Sequence, residues 1–185
     1  MIKITRNLHL PEGQIDADVI AFEDSDRKRI RRMYDDWRNL TDSLKEFNAR
    51  GINLPEGISE SAFCLEMDTV RTTSSIPGAN SSWDCYDLNR NKRIQVKACS
   101  VLPDLTSFGP NSQWDEIYFL DFYRQGRWDG SFDIYQIETE MIYSHKVNRL
   151  QTFAEQQAQS RRPRFSIYKG IIEPNRIQPV KVGQL

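Results

Sequence analysis

The chain has 185 residues, 28% charged and 38% hydrophobic, and 25 Lys and Arg against 26 Asp and Glu leave a net charge of −1. That size fits one domain with a real core, the balance excludes wholesale disorder, and no stretch approaches the roughly 18 apolar residues of a membrane span. A near-neutral total does not exclude nucleic acid, because a local positive face binds phosphates on a neutral protein.

Cys64, Cys85 and Cys99 lie apart with no CxxC pair, so buried free thiols are expected rather than a zinc site or a disulfide framework. The opening Met1–Gly13 has no long apolar run of the signal-peptide kind. A reducing cytoplasm and no membrane partner are the expectation.

In chain order, the segment to about Glu23 is mixed, and its Ile2, Ile4, Leu8, Leu10, Val19, Ile20 and Phe22 fit either a strand or a packing arm. A helix is predicted over Ser25–Arg50, with Ile30, Met33, Tyr34, Trp37, Leu40, Leu44 and Phe47 on one stripe, Ser25 as N-cap and Gly51 as stop. Its start carries Arg27, Lys28, Arg29, Arg31 and Arg32, either a solvated face or a phosphate or partner contact. A second helix is predicted from Ser59 as cap to about Thr69, then a loop over Thr72–Ser82. A hairpin follows, with strands Trp83–Leu88 and Arg93–Cys99 around a turn at Asn89–Lys92. Further strands are predicted at Glu116–Tyr123 and Phe132–Ile137. Then come a helix from Ser144 to about Gln159 with Val147, Leu150, Phe153 and Ala154 inward, a last strand at Arg164–Tyr168, and an irregular tail after Gly170. This order implies one α/β sheet with helices on its faces.

The chemistry concentrates in Trp83-Asp84-Cys85-Tyr86-Asp87 and Ile94-Gln95-Val96-Lys97-Ala98. Strand alternation sends Ile94, Val96 and Ala98 into a core and sets Gln95 and Lys97 side by side on the other face, with Asp84 across from them. A carboxylate, an amide oxygen and an ammonium meeting at one point suit phosphodiester hydrolysis. A hard cation takes the oxygens, lowers the pKa of bound water, and the ammonium orients that water or offsets charge on the phosphorane.

These stretches resemble the PD-(D/E)xK nuclease superfamily, with Asp84 as the first acid and Gln95-Val96-Lys97 in place of (D/E)-x-K. The departure is Gln95, an amide where an acid is usual, and it bears on how many metals bind and how tightly. The resemblance implies a glutamate on the preceding helix; Glu60 matches it and Glu66 is the alternative. It also implies a single-domain restriction-endonuclease-like fold with a central mixed sheet flanked by helices. That domain spans 1–185, with an N-terminal helical part over about 1–70, a catalytic sheet core over about 58–140, and a C-terminal helix and strand over about 141–185. Catalytic Glu60, Asp84, Gln95 and Lys97, with Asp84, Gln95 and Glu60 on Mg2+ (or Mn2+ in its place), follow from the same resemblance. Together with Ile58–Cys64 and the arginine-rich helix, the chain looks like the small subunit of heterodimeric type IIS restriction endonucleases. This implies double-stranded DNA as substrate and a large subunit that recognises the sequence and nicks the other strand. A stand-alone homodimeric repair or junction nuclease, and a non-catalytic interaction module on the same scaffold, are the competing readings.

For DNA contacts the expectation falls on Arg71, Thr72, Thr73 and Ser74 before the Asp84 strand, and on Lys92 and Arg93 in the hairpin. Asp87 reads as a turn residue, Asp121 as a strand-end polar group or one that supports the site from behind, and His9 and His145 as surface or cap residues. Trp114, Tyr118, Phe119, Phe122 and Tyr123 read as core.

Overall fold

The computed structural model describes residues 1–76 and 79–185. Apolar residues alternating on both sides of Pro11-Glu12-Gly13 fold into a hairpin, β1 (Ile2–Leu10) and β2 (Gly13–Ala21), paired antiparallel along their full length. Gly13 closes the turn at φ +133°, a conformation that side chains disfavour. The segment to about Glu23 is therefore a strand pair, one of the two forms its apolar residues fit, and the α-helices within 1–70 begin only at Arg27.

Helix α1 (Arg27–Glu46) buries Ile30, Tyr34, Trp37 and Thr41, one face at helical spacing. Met33, Leu40 and Phe47 of the expected stripe are exposed. The helix stops before Arg50 because Asn48 takes the left-handed conformation (φ 56°) that ends helices. Helix α2 (Glu56–Met67) starts at Pro55, which cannot continue a helix backwards. Ser59 thus lies inside α2, its hydroxyl donating to the Glu56 carbonyl at 3.1 Å, and is not the cap.

There follow β3 (Val70–Thr72), the short α3 (Ala79–Ser82), β4 (Cys85–Asp87) and β5 (Lys92–Cys99). Helix α3 replaces part of the loop expected over 72–82, and 77–78 of that loop lie outside the described residues. Next are β6 (Thr106–Ser107), β7 (Glu116–Asp121), β8 (Ser131–Ile137), α4 (Thr139–Ser144), α5 (Phe153–Ala158) and β9 (Arg164–Phe165). A π-helical turn at Tyr168–Ile172, α6 (Glu173–Asn175) and β10 (Lys181–Gln184) complete the chain.

The main sheet has eight strands in the order β1-β2-β3-β4-β5-β7-β8-β10, with β6 and β9 forming a separate pair. Only the β5–β7 joint is parallel among the pairings of the described residues, so the sheet is mixed. Both faces carry a core. On one, α1 and α2 pack Ile30, Tyr34, Trp37 and Phe63 against Ile94, Val96, Leu120 and Phe132. On the other, Ile117, Phe119, Tyr135 and Ile137 meet Phe108, Phe153 and Phe165 from the C-terminal half.

The helix expected over 144–159 forms only in its last part: α4 ends at Ser144, where that helix should begin, and within the span only α5 is helical. Between them the Asn148 side chain accepts from the Leu150 and Gln151 amides, and Thr152 opens α5 with a capping box to Glu155. Leu150 is 90% exposed and Ala154 is exposed, while Phe153 is fully buried. The expected strand 164–168 shortens to Arg164–Phe165, and the tail is ordered, with β10 forming the edge beside β8. Gly183 is required there, because a Cβ would collide with the Phe132 ring. No helix among the described residues is long and apolar enough to cross a membrane.

Phe122 anchors the α1 face, stacking on Phe132 at 4.5 Å and on Tyr34 at 5.8 Å. Phe122→Ala is expected to cost about 3–5 kcal/mol in urea unfolding; a loss below ~1 kcal/mol would show that this stack does not organise the core.

Candidate active site

Strand β4 is short. It pairs with β5 only through Cys85↔Ile94, Tyr86↔Arg93 and Asp87↔Lys92, whereas β5 continues beside β7 to Cys99. The β5 edge is therefore unpartnered by β4 from Gln95 onward, and a buried amide there needs another acceptor. Asp84, one residue before β4, supplies it: Oδ2 accepts from the Val96 amide at 2.9 Å. The same oxygen takes the Gln95 side-chain Nε2, which also approaches the Val96 carbonyl. Two acceptors around one nitrogen identify that end of the amide as the NH2 group, so Gln95 faces Asp84 with its nitrogen and not with the oxygen expected from the sequence. The Asp84 backbone is held on both sides, its N–H donating to Ile94 O and its carbonyl accepting from Thr72 N and Oγ1, each at 2.9 Å.

In β5, Gln95 is 3% exposed and Lys97 is half-buried. Their parallel neighbours Ile117 and Phe119 belong to the face opposite α1 and α2, so the predicted alternation holds, but that face has a core of its own. The Lys97 ammonium lies 5.4 Å from the Phe108 ring centroid. Glu60, in the second turn of α2 rather than the first, is buried and pairs with Arg71 Nε. Glu66 is tied to Arg27 at 2.6 Å and Lys181 at 3.1 Å, away from Asp84.

Burial pushes the Asp84 carboxyl up to about 7, and the Glu60 charge adds to this while Lys97 and the Val96 amide oppose it. Burial also raises Glu60, against the pull of Arg71. Glu60, Asp84 and Lys97 line one cleft of about 940 Å³ with Lys45, Arg50 and Arg164. Its far wall is the crossover between β5 and β7, held by buried Asp104, which accepts from Thr106 Oγ1, Ser166 Oγ and the Ile167 and Tyr168 amides.

The expected DNA-contact residues are placed differently from one another. Arg71 is engaged by Glu60, Thr72 is buried, Thr73 donates to the Asp18 carbonyl at 2.6 Å, and Arg93 forks onto Asp115. Ser74 and Lys92 are exposed. The cleft cations Lys45, Arg50 and Arg164 were not singled out by sequence; they come from distant segments, and no local pattern joins them. Asp87 caps its turn, accepting from the Asn89 and Arg90 amides, and Asp121 caps the end of β7 through the Tyr123 and Arg124 amides. His145 ends α4 and stacks on Phe165, and His9 is exposed. The three cysteines are free and buried, but Cys64 and Cys85 sit 3.5 Å apart between α2 and β4.

Among the described residues no group of three or more His, Cys, Asp or Glu gathers to hold a metal. A cation at Asp84 would draw on Asp84, Glu60 and the Gln95 amide. That all-oxygen set of low count fits a hard ion that keeps several waters, and it suits neither zinc nor copper.

By its sheet and its layers the chain is a restriction-endonuclease-like α/β protein. The model of the Bsp6I restriction endonuclease family matches residues 22–174, leaving out the β1–β2 hairpin and β10. The type II restriction enzyme Bsp6I of Bacillus sp. (strain RFL6) is 36% identical over 173 residues, covering 91% of this chain and 93% of that protein. The chain belongs to the Bsp6I restriction endonuclease family. No solved structure matches it.

With Asp84 protonated up to about pH 7 in the fold but only to about 3.9 when unfolded, the folded state holds the extra proton in between, so stability falls as pH rises through that window. The thermal midpoint of the native protein should drop between about pH 5 and about pH 8 by more than that of Asp84→Asn. Parallel curves would show that Asp84 carries no such strain.

Proposed function

We propose that this chain is an Mg2+-dependent endodeoxyribonuclease that cuts one strand of double-stranded DNA at a PD-(D/E)xK-type site made by Asp84, Gln95, Lys97 and Glu60. One observation carries this reading: a desolvated Asp84 carboxylate, clasped by the Gln95 amide at the point where β4 and β5 part, beside Glu60 and Lys97 in an open cleft. A buried carboxylate with a raised pKa in a cleft is a functional-site signature, and a cation would relieve its charge.

Asp84 and Glu60 would hold Mg2+, and the Gln95 amide, turned to present its oxygen, would add a neutral ligand. When bound, the ion makes its water acidic and shields the phosphate. Lys97 projects from β5 two residues beyond Gln95, placed to orient the attacking water and to offset charge on the pentavalent phosphorus. Lys45, Arg50 and Arg164 offer phosphate contacts along the same cleft. They replace Arg71 and Arg93, whose guanidiniums are already paired.

One such site cuts one strand, so a double-strand break needs a second site. The small-subunit reading draws it from a large partner. The stand-alone reading draws it from a second copy of this chain.

Asp84→Ala and Lys97→Ala should each lower plasmid cleavage in Mg2+ by at least about 10²-fold with the melting temperature of the fold retained. Near-native cleavage by either variant would sink the assignment. Linear product from the purified chain alone supports the two-copy enzyme; cleavage only with an added large subunit supports the heterodimer.

A further inference from the structure

We propose that Arg71 is a built-in counter-cation that restricts this site to a single divalent ion. The inference rests on the metal-dependent reading above. Arg71 lies in β3 opposite Cys85, the residue after Asp84, and its Nε meets Glu60 Oε2. The Glu60 side chain is 9% exposed and that of Arg71 33%, so this is a largely enclosed pair rather than a surface one.

Among the enclosed groups at Asp84 the charges cancel in pairs, Asp84 and Glu60 against Lys97 and Arg71, while Glu56, which also acts on both acids, is exposed. Gln95 adds none. One dication converts that neutral group into a doubly positive one, which phosphate oxygens then offset. A second dication would need Glu60 released to it, and Glu60 is held by the Arg71 guanidinium. The other acids of the cleft do not fill the gap. Asp104 is committed to four hydrogen bonds, and Glu56 is exposed at the start of α2. A guanidinium keeps its charge at any working pH. Arg71 therefore occupies, in charge, the place of a second ion, and Glu60 is shared between the resident cation and the incoming one.

The test counts ions without reading activity. Mn2+ is titrated into the folded full chain and the free ion is followed by its paramagnetic resonance signal. The native protein should bind one ion per chain. Arg71→Gln should bind two, or the first at least about tenfold more tightly, whereas Arg71→Lys, which keeps the charge, should still bind one. Gln95→Glu should tighten the first ion without admitting a second, since Arg71 remains; it also serves if Arg71→Gln does not fold. Two ions in the native protein, or a second ion in Gln95→Glu, overturns the role of Arg71 and leaves the nuclease site standing. No ion bound by the native protein at millimolar Mn2+ overturns both.

Discussion

The Val96 amide bonds to a carboxylate where the next residue of a β-strand would otherwise serve, and the layout of the cleft follows from that substitution. Exposed strand edges are reactive toward other strands and costly when buried without partners. Here Asp84 closes the first open position of β5 and in doing so becomes a buried anion at the bottom of a cleft. The backbone thus fixes the acid with no need for a neighbouring side chain to hold it. Gln95, its cross-strand neighbour, donates its amide nitrogen to that acid.

This arrangement holds electrostatic stress in the fold. Two carboxyls lie within reach of each other, both pushed upward by burial, and each has a cation beside it. Proteins tolerate such stress where chemistry needs it and recover the cost elsewhere. The recovery is visible in the two apolar layers, where rings pack on both sides of β7 and β8. Ionic ties add to it at the far end of the hairpin, where Arg90 reaches Asp87 and Glu116, and Arg93 reaches Asp115. The turn end of β4–β5 is latched and the other end is open, so the hairpin presents its Asp84 end to the cleft from a firm base.

Much of this was legible in the sequence where a local period carries the signal. The spacing of Ile30, Tyr34 and Trp37 announced α1, and the alternation from Ile94 to Ala98 put Gln95 and Lys97 on one side. What failed did so for physical reasons. Ser59 looks like a cap, but Pro55 starts the helix a turn earlier. The run after Ser144 has helical composition, yet the Asn148 turn and the Thr152–Glu155 capping box, both written in the chain, delay the helix to Phe153. The hairpin at Pro11-Glu12-Gly13 gives only a weak local signal because its strands have one weakly buried face. β10 is only four residues long and owes its place to Gly183 fitting under Phe132, which no periodicity reports. The Arg71–Glu60 pair and the cations of the cleft join residues far apart in the chain, so they emerge only in three dimensions.

Asp104 has a consequence for how the molecule comes into being. It fastens the crossover after β5 to backbone and hydroxyl groups of residues 166–168, more than sixty positions downstream. Contacts so distant in sequence form late, because closing a long loop must precede any reward. A nascent chain emerging from the ribosome therefore exposes residues 84, 95 and 97 well before the rim that shapes the groove around them can dock. The enclosure is completed only with the final third of the polypeptide, so a truncated or half-folded copy would carry these side chains without the wall that surrounds them.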